Sequence, residues 1–319
     1  MLAAYKGIAV LALALFIAAL LQAEGLRKQA EIQPSGFQRD VALRVTKPLV
    51  SLSRALHLTT PRHELQVAIG RGDEDRIDTT VHLNLPPPVK TPSPTHTPKP
   101  RKTQKPIFTA AHPLRVWVAG DSLAQVPGDA LERIGGAIDV VGVESRLSTG
   151  LARTDLYNWF TRIQQAARRL HPDVVVFSFG ADDAHDYMGG AHVGPFGSPS
   201  WITEYRRRVD GVTRELGAER IYVVWLGLPI PDGPGFKKSF PVVNRILESV
   251  AKGRSGFATF VDTWHLLDDF HGRYAAYLRV HGKVTEIRLS DGVHYTEAGG
   301  DVIAEQVVRQ LRDRYRLDS

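Results

Sequence analysis

The chain has 319 residues, 43% hydrophobic and 23% charged, a balance that suits a globular core with additional segments. It contains no cysteine, which excludes disulfides, thiolate catalysis and cysteine-ligated zinc. The formal net charge is +6, yet Lys90, Lys99, Arg101, Lys102 and Lys105 all lie between Pro86 and Pro106 with no acidic residue among them, so the rest of the chain is nearly neutral.

Residues 7–23, GIAVLALALFIAALLQA, form an apolar run behind Lys6, close to the minimum length for a membrane-spanning helix. A cleaved signal peptide is the alternative. No small-x-small cleavage site precedes Glu24, so residues 1–23 read as a retained anchor. The flanking charges, Lys6 before the run and Arg27, Lys28 and Arg39 diluted by Glu24, Glu31 and Asp40 after it, set no orientation. Residues 24–85 read as a juxtamembrane stalk. Val41, Val45, Leu49, Leu52 and Leu56 recur at helical spacing, and Pro48 is expected to kink or break that helix. Residues 86–106, PPPVKTPSPTHTPKPRKTQKP, favour an extended spacer. Its basic residues carry no aromatic platform for stacking bases, so no nucleic-acid partner is expected.

From Ile107 to the end, residues 107–319, strand and helix signals alternate. Apolar runs at 114–118, 138–143, 174–179, 221–226 and 258–261 read as strands, and the nearly all-apolar VVVFSF suits a strand covered on both faces. Helical patterns follow at 123–134, 156–170, 202–216, 242–251 and 297–311. This alternation predicts an α/β fold: a parallel sheet of about five strands between two layers of helices, with right-handed crossovers. Ligands of such sheets bind outside the carboxyl ends of the strands. The glycine- and proline-rich loops 189–199 and 229–235 are expected to border that pocket, the first as a mobile segment.

Two stretches carry chemistry. Gly120-Asp121-Ser122-Leu123 ends the first strand, placing a serine beside a helix N-terminus; the bland reading makes it a helix cap. Asp291-Gly-Val-His294 precedes the last helix. A carboxylate can hold that imidazole by one ring nitrogen, leaving the other to act as base, and with Ser122 the three make a nucleophile, a base and an orienting acid. Asp182, Asp183, His185 and Asp186 offer a different reading, a hard divalent-cation site. His112, His171, His192, His265, His271 and His281 show no partner in the sequence.

In these residues the chain resembles the SGNH (GDSL-type) hydrolase superfamily. Gly120-Asp-Ser-Leu123 matches its first block, Gly150 its second-block glycine, Gly180-Ala-Asp-Asp183 its third block and Asp291-x-x-His294 its last. Trp225-Leu-Gly-Leu-Pro229 and the Asp262-Thr-Trp region resemble a membrane-anchored bacterial branch of it. The resemblance covers about residues 114–317 and implies a flavodoxin-like α/β/α sandwich, the SGNH hydrolase fold. It also implies a serine esterase or acyltransferase needing neither metal nor cofactor. Ser122 would be the nucleophile, His294 the base and Asp291 its orienter. The oxyanion donors would be Ser122, Gly150 and the residue at position 182, with Asp121, Gly180 and Asp183 in support. The departure lies at position 182, where the family has asparagine and this chain has Asp182. An ionised carboxylate cannot donate a hydrogen bond. Either Asp182 is protonated, or Ser122 and Gly150 carry the hole alone, or the site is slow or retired. The expectation is an extracytoplasmic, membrane-anchored enzyme acting on O-acyl groups, acetyl foremost, of envelope glycans or glycolipids. The rival is a non-catalytic glycan-binding or assembly protein of the same fold.

Overall fold

A computed structural model describes residues 2–32, 37–56, 78–85, 105–189 and 191–318. It divides into two units, Met1–Ile77 and Asp78–Ser319. In the first, α1 (Leu2–Leu21), α2 (Ala23–Ile32) and α3 (Phe37–Ala55) follow one another. The expected break at Pro48 does not occur. The helix runs through it, losing the one backbone bond that proline cannot donate, while α2 packs along its side. Nor does the apolar stripe of α3 face inward. Val41, Val45, Leu52 and Leu56 are exposed, whereas Thr46, Val50 and Ser53 are buried. Among the described residues no helix is long and apolar enough to cross a membrane, so the spanning anchor expected over residues 7–23 is not supported.

In the second unit five strands pair in parallel: β1 (Leu114–Gly120), β2 (Ile138–Ser145), β3 (Val174–Ser178), β4 (Tyr222–Leu226) and β5 (Ala258–Val261). Their order across the sheet is β2-β1-β3-β4-β5. Each crossover returns over a helix, α4 (Gln125–Ile134), α5 (Trp159–Leu170), α6 (Pro199–Ala218) or α7 (Phe240–Gly253), and α8 (Glu297–Arg314) closes the chain. This is the three-layer α/β/α sandwich with flavodoxin-like strand order. Every residue of β3 and β4 is buried, which is why those strands read as unbroken apolar runs. The strand order reverses direction at β1, so the carboxyl ends of β1 and β3 flank the crevice where such sheets bind ligands.

Two features differ from the expectations. A hairpin, β6 (Tyr277–Val280) with β7 (Lys283–Glu286), precedes the last loop, where no strand was expected. And the residues expected to end a stalk belong to the second unit. In the stretch 78–85, Val81 and Leu83 pack against the core. Side chains of the domain hold its backbone: Thr154 Oγ1 donates to Thr79 O at 2.9 Å, Asn158 Nδ2 to Thr80 O at 3.0 Å and Gln164 Nε2 to His82 O at 3.0 Å. Leu83 occupies the space a side chain on Gly211 would need.

Candidate active site

The turn after β1 is built by close approach. A Cβ on Gly120 would lie 1.9 Å from the Ser178 carbonyl oxygen, so only glycine lets β1 and β3 end side by side. The next residue continues the register, with the Asp121 amide donating to Ser178 O at 2.9 Å. Asp121 is fully buried, and its carboxylate accepts from the Leu123 and Ala181 amides, each at 3.0 Å. It therefore ties the loop after β1 to the loop after β3. Burial and the neighbouring charge of Asp182 push its pKa well above the usual carboxylate range, against those two amides. Ser122 is not a helix cap. The cap position of α4 falls to Ala124, which offers no side-chain bond. The Ser122 hydroxyl is left to face elsewhere.

It faces His294. The Ser122 Oγ to His294 Nε2 distance is 2.8 Å, across a separation of 172 residues. On the other side of the ring, Nδ1 stands 2.7 Å from Asp291 Oδ2. Asp291 Oδ1 in turn accepts from the amides of Val293 at 2.8 Å and His294 at 2.9 Å. The carboxylate is thus fixed before it touches the imidazole. Burial would raise the Asp291 pKa, but those two amides and the His294 ring outweigh it and hold the group below its ordinary value. An acid kept ionised, a ring gripped at one nitrogen and a hydroxyl at the other make a nucleophile–base–orienter set with hydrogen-bond spacing throughout.

The loops after β2 and β3 complete the crevice. A Cβ on Gly150 would collide with the Asp183 carboxylate, so glycine there lets the two loops close together. Gly180 has φ +122°, and a Cβ there would strike Val243. Asp183 is fully buried. It accepts from the amides of Leu151 at 3.2 Å and Ala152 at 2.8 Å and from the Tyr205 hydroxyl at 2.6 Å. Burial still raises its pKa. Asp182 is half-buried, accepts from the Ser148 amide and senses the charges of His294 and Arg153. Burial first, then the adjacent Asp183, push its pKa up to about 6.

Residues 115–310 match the family described as protein of unknown function (DUF459). The chain belongs to that family. No curated protein matches it. Among solved structures, this DUF459 protein is similar to a lipase/acylhydrolase from Enterococcus faecalis, at 16% identity and a TM-score of 0.43, over 64% of this chain and 98% of that one. It is similar to a GDSL-like lipase from Bacteroides thetaiotaomicron, at 15% identity and a TM-score of 0.44, over 63% and 88%. An acetylxylan esterase from Geobacillus stearothermophilus gives 15% identity and a TM-score of 0.44, over 62% and 93%. These likenesses are loose, and the chemistry of the DUF459 chain rests on its own residues.

Sequence reasoning brought together Ser122, Asp291 and His294, with Asp121, Gly150, Gly180, Asp182 and Asp183 around them. Other expectations for the DUF459 chain need correction. The cation reading placed Asp182, Asp183, His185 and Asp186 in one cluster, but Asp183 points into the core and Asp186 Oδ1 accepts from the Phe196 amide at 2.8 Å. Among the described residues no three such side chains stand close enough to hold a metal ion. Of the loop 189–199, residue 190 lies outside the described residues; Phe196 is held by that bond and by packing edge-on against Trp201, 4.5 Å between centroids. Two histidines without an apparent partner have one: His265 Nδ1 meets Asp262 at 2.6 Å, and His281 Nε2 meets Glu305 at 3.0 Å. Tyr205, Arg153 and Arg288 went unnoticed. Tyr205 was legible in principle, since Trp201, Tyr205, Val209 and Val212 share the buried face of α6. Arg153 and Arg288 carry no periodic signal, because each lies in a loop.

Proposed function

We propose that this protein is a serine-dependent ester hydrolase or O-acyltransferase. The observation that carries the reading is the continuous chain Asp291–His294–Ser122, with contacts of 2.7 and 2.8 Å. Ser122 Oγ attacks the acyl carbonyl while its proton passes to His294 Nε2. The carbonyl π pair moves to oxygen, giving a tetrahedral oxyanion. That oxyanion collapses, the bond to the alkoxy oxygen breaks, and the leaving alkoxide takes the proton from Nε2. Water, or an acceptor hydroxyl, then gives its proton to Nε2 and attacks the acyl-serine, and the proton returns to Ser122 as the acyl group departs. The amides of Ser122 and Gly150 are the proposed backbone donors to the oxyanion. Asp182, protonated, is the third.

The proposed substrate is an O-acyl group, acetyl in the first instance, on an envelope glycan or glycolipid. An open site supports this. The His294 side chain is 35% exposed and that of Asp291 47%, so a small ester on a bulky polymer can reach Ser122. A substrate on the envelope would put the domain outside the cytoplasm. Protease accessibility of the domain in intact cells tests that placement. Hydrolysis and transfer share the acyl-enzyme, and access of water decides between them.

The test is turnover of a small acetyl ester and labelling by a fluorophosphonate. Wild type should turn over and label, and Ser122→Ala should do neither. Asp182 favours a second reading, a fold that binds acylated glycans without turnover. Equal glycan binding by wild type and Ser122→Ala, with no turnover or labelling by wild type, would establish that reading instead.

A further inference from the structure

A guanidinium lies behind the base. Arg288 sits at the exit of β7, three residues before Asp291, and is fully buried. Its side chain folds into the loop that it opens. Nη2 donates to the carbonyls of Gly292 at 3.1 Å and Val293 at 2.8 Å, and Nη1 donates to Ile230 O at 2.9 Å. The ring faces of Tyr274 and Tyr295 cover it at 5.2 and 5.6 Å. Among the described residues its Nε has no hydrogen-bond partner. A buried cation with an unmet donor is expensive, and its place must be held by what surrounds it.

The segment it grips is the one that carries Asp291 and His294. A bridge pairs Arg288 with Tyr295, and Leu289 N donates to His294 O at 2.9 Å, so the loop is closed at its neck. Inside the neck one prong of the guanidinium fork, Nη2, takes two consecutive carbonyls, those just before His294, while Nη1 reaches across to Ile230 O. The third carbonyl belongs to the loop after β4, which is itself clamped: Asn244 bonds both the amide and the carbonyl of Leu228, at 2.7 and 2.8 Å. The Asp232 amide donates to Gly292 O at 3.0 Å from the same loop. One side chain therefore braces the base-bearing loop against a rigid wall of the crevice.

We propose that Arg288 is a positioning residue for His294, through the two carbonyls it holds just before that residue. The inference rests on the esterase reading for its kinetic consequence but not for its geometry. The fork cannot be replaced by lysine, whose ammonium is a single point charge.

The experiment uses the full chain with Arg288→Lys, Arg288→Met and, as a stability control, Leu216→Ala at the opposite end of the sheet. Kinetics of p-nitrophenyl acetate are read per fluorophosphonate-labelled site, with the thermal midpoint of each variant. The proton between His294 Nδ1 and Asp291 is followed as a downfield NMR resonance, which needs no turnover. Both Arg288 variants should lose at least about tenfold in kcat with KM within about twofold, and the downfield resonance should broaden or vanish. The control should lose midpoint without losing kcat or the resonance. The proposal is overturned if the Arg288 variants keep kcat and the resonance, or if the control loses them in the same proportion. Should wild type neither turn over nor label, the esterase reading fails on its own. The resonance then decides for Arg288: its persistence in both variants overturns the inference, and its selective loss supports it.

Discussion

Asp182 sets the pH behaviour of the site. Its folded pKa of about 6 stands above the ordinary 3.8, because burial and Asp183 disfavour the carboxylate. An acid with a raised folded value binds its proton more tightly in the fold than in the unfolded chain. Its contribution to stability is therefore complete below about pH 3.8 and is lost as pH rises through about 6. Asp182→Asn removes that loss, so the variant should be the more stable of the two at pH 8. The difference should shrink toward pH 4, as denaturant melts at the two pH values will read. The same substitution supplies a permanent donor. If the protonated carboxyl serves the oxyanion, wild-type kcat/KM declines above about pH 6. Asp182→Asn then abolishes the decline and gains roughly 10- to 100-fold at pH 8, within the worth of one oxyanion donor. An unchanged pH–rate profile would remove Asp182 from the hole.

At the scale of elements, His294 reaches Ser122 because α8 lies against α4. The two helices leave from opposite ends of the site: α4 follows Ser122 and α8 follows His294. Glycine makes their approach possible, since a Cβ on Gly300 would meet Val126 Cγ1 at 2.6 Å and the Val126 carbonyl oxygen at 2.8 Å. Arg133 on α4 meets Asp301 on α8 at 2.6 Å, and the Thr296 hydroxyl caps α8 by accepting from Gly299 at 3.2 Å. Gly300→Ala must push the helices apart, because backbone cannot yield as a side-chain tip would. The expected cost is about 1–3 kcal/mol of stability. A displacement of order 1 Å at His294 costs up to about 10² in kcat. Loss of stability with an unaltered kcat would show that the loop is positioned independently of α8. None of this was visible in the glycine pattern alone.

At the scale of the second unit, residues 78–85 lie across the helical layer as a strap. Val81 and Leu83 add apolar burial, and Thr154, Asn158 and Gln164 satisfy its carbonyls. Partial burial of two such side chains with a few net hydrogen bonds is worth roughly 2–4 kcal/mol. A protein beginning at Ile107 should therefore melt roughly 5–15 °C below one beginning at Asp78. Equal midpoints would mean that the strap contributes nothing. The sequence placed these residues in a stalk because 78–85 is short, alternating and separated from the domain by the spacer. Its partners lie on α5 and α6, distant in sequence and silent about it.

The amino-acid sequence by itself determined the strands, the sandwich and the place of Ser122 at the end of β1. Apolar runs of strand length record burial on both faces, and small residues record the turn at Ser122, so each is written locally. It could not decide which acid–histidine pair does chemistry. Asp262-x-x-His265 folds as Asp291-x-x-His294 does, with the aspartate accepting from two amides ahead of it and its other oxygen on Nδ1, at 2.6 Å against 2.7 Å. The two pairs are the same local object. One ends in solvent beside β5, its histidine side chain 70% exposed, and the other ends 2.8 Å from Ser122. Only the packing of α8 on α4 and the closing of the last loop make that difference, because proximity across 172 residues is a property of the assembled layers and of no stretch within them.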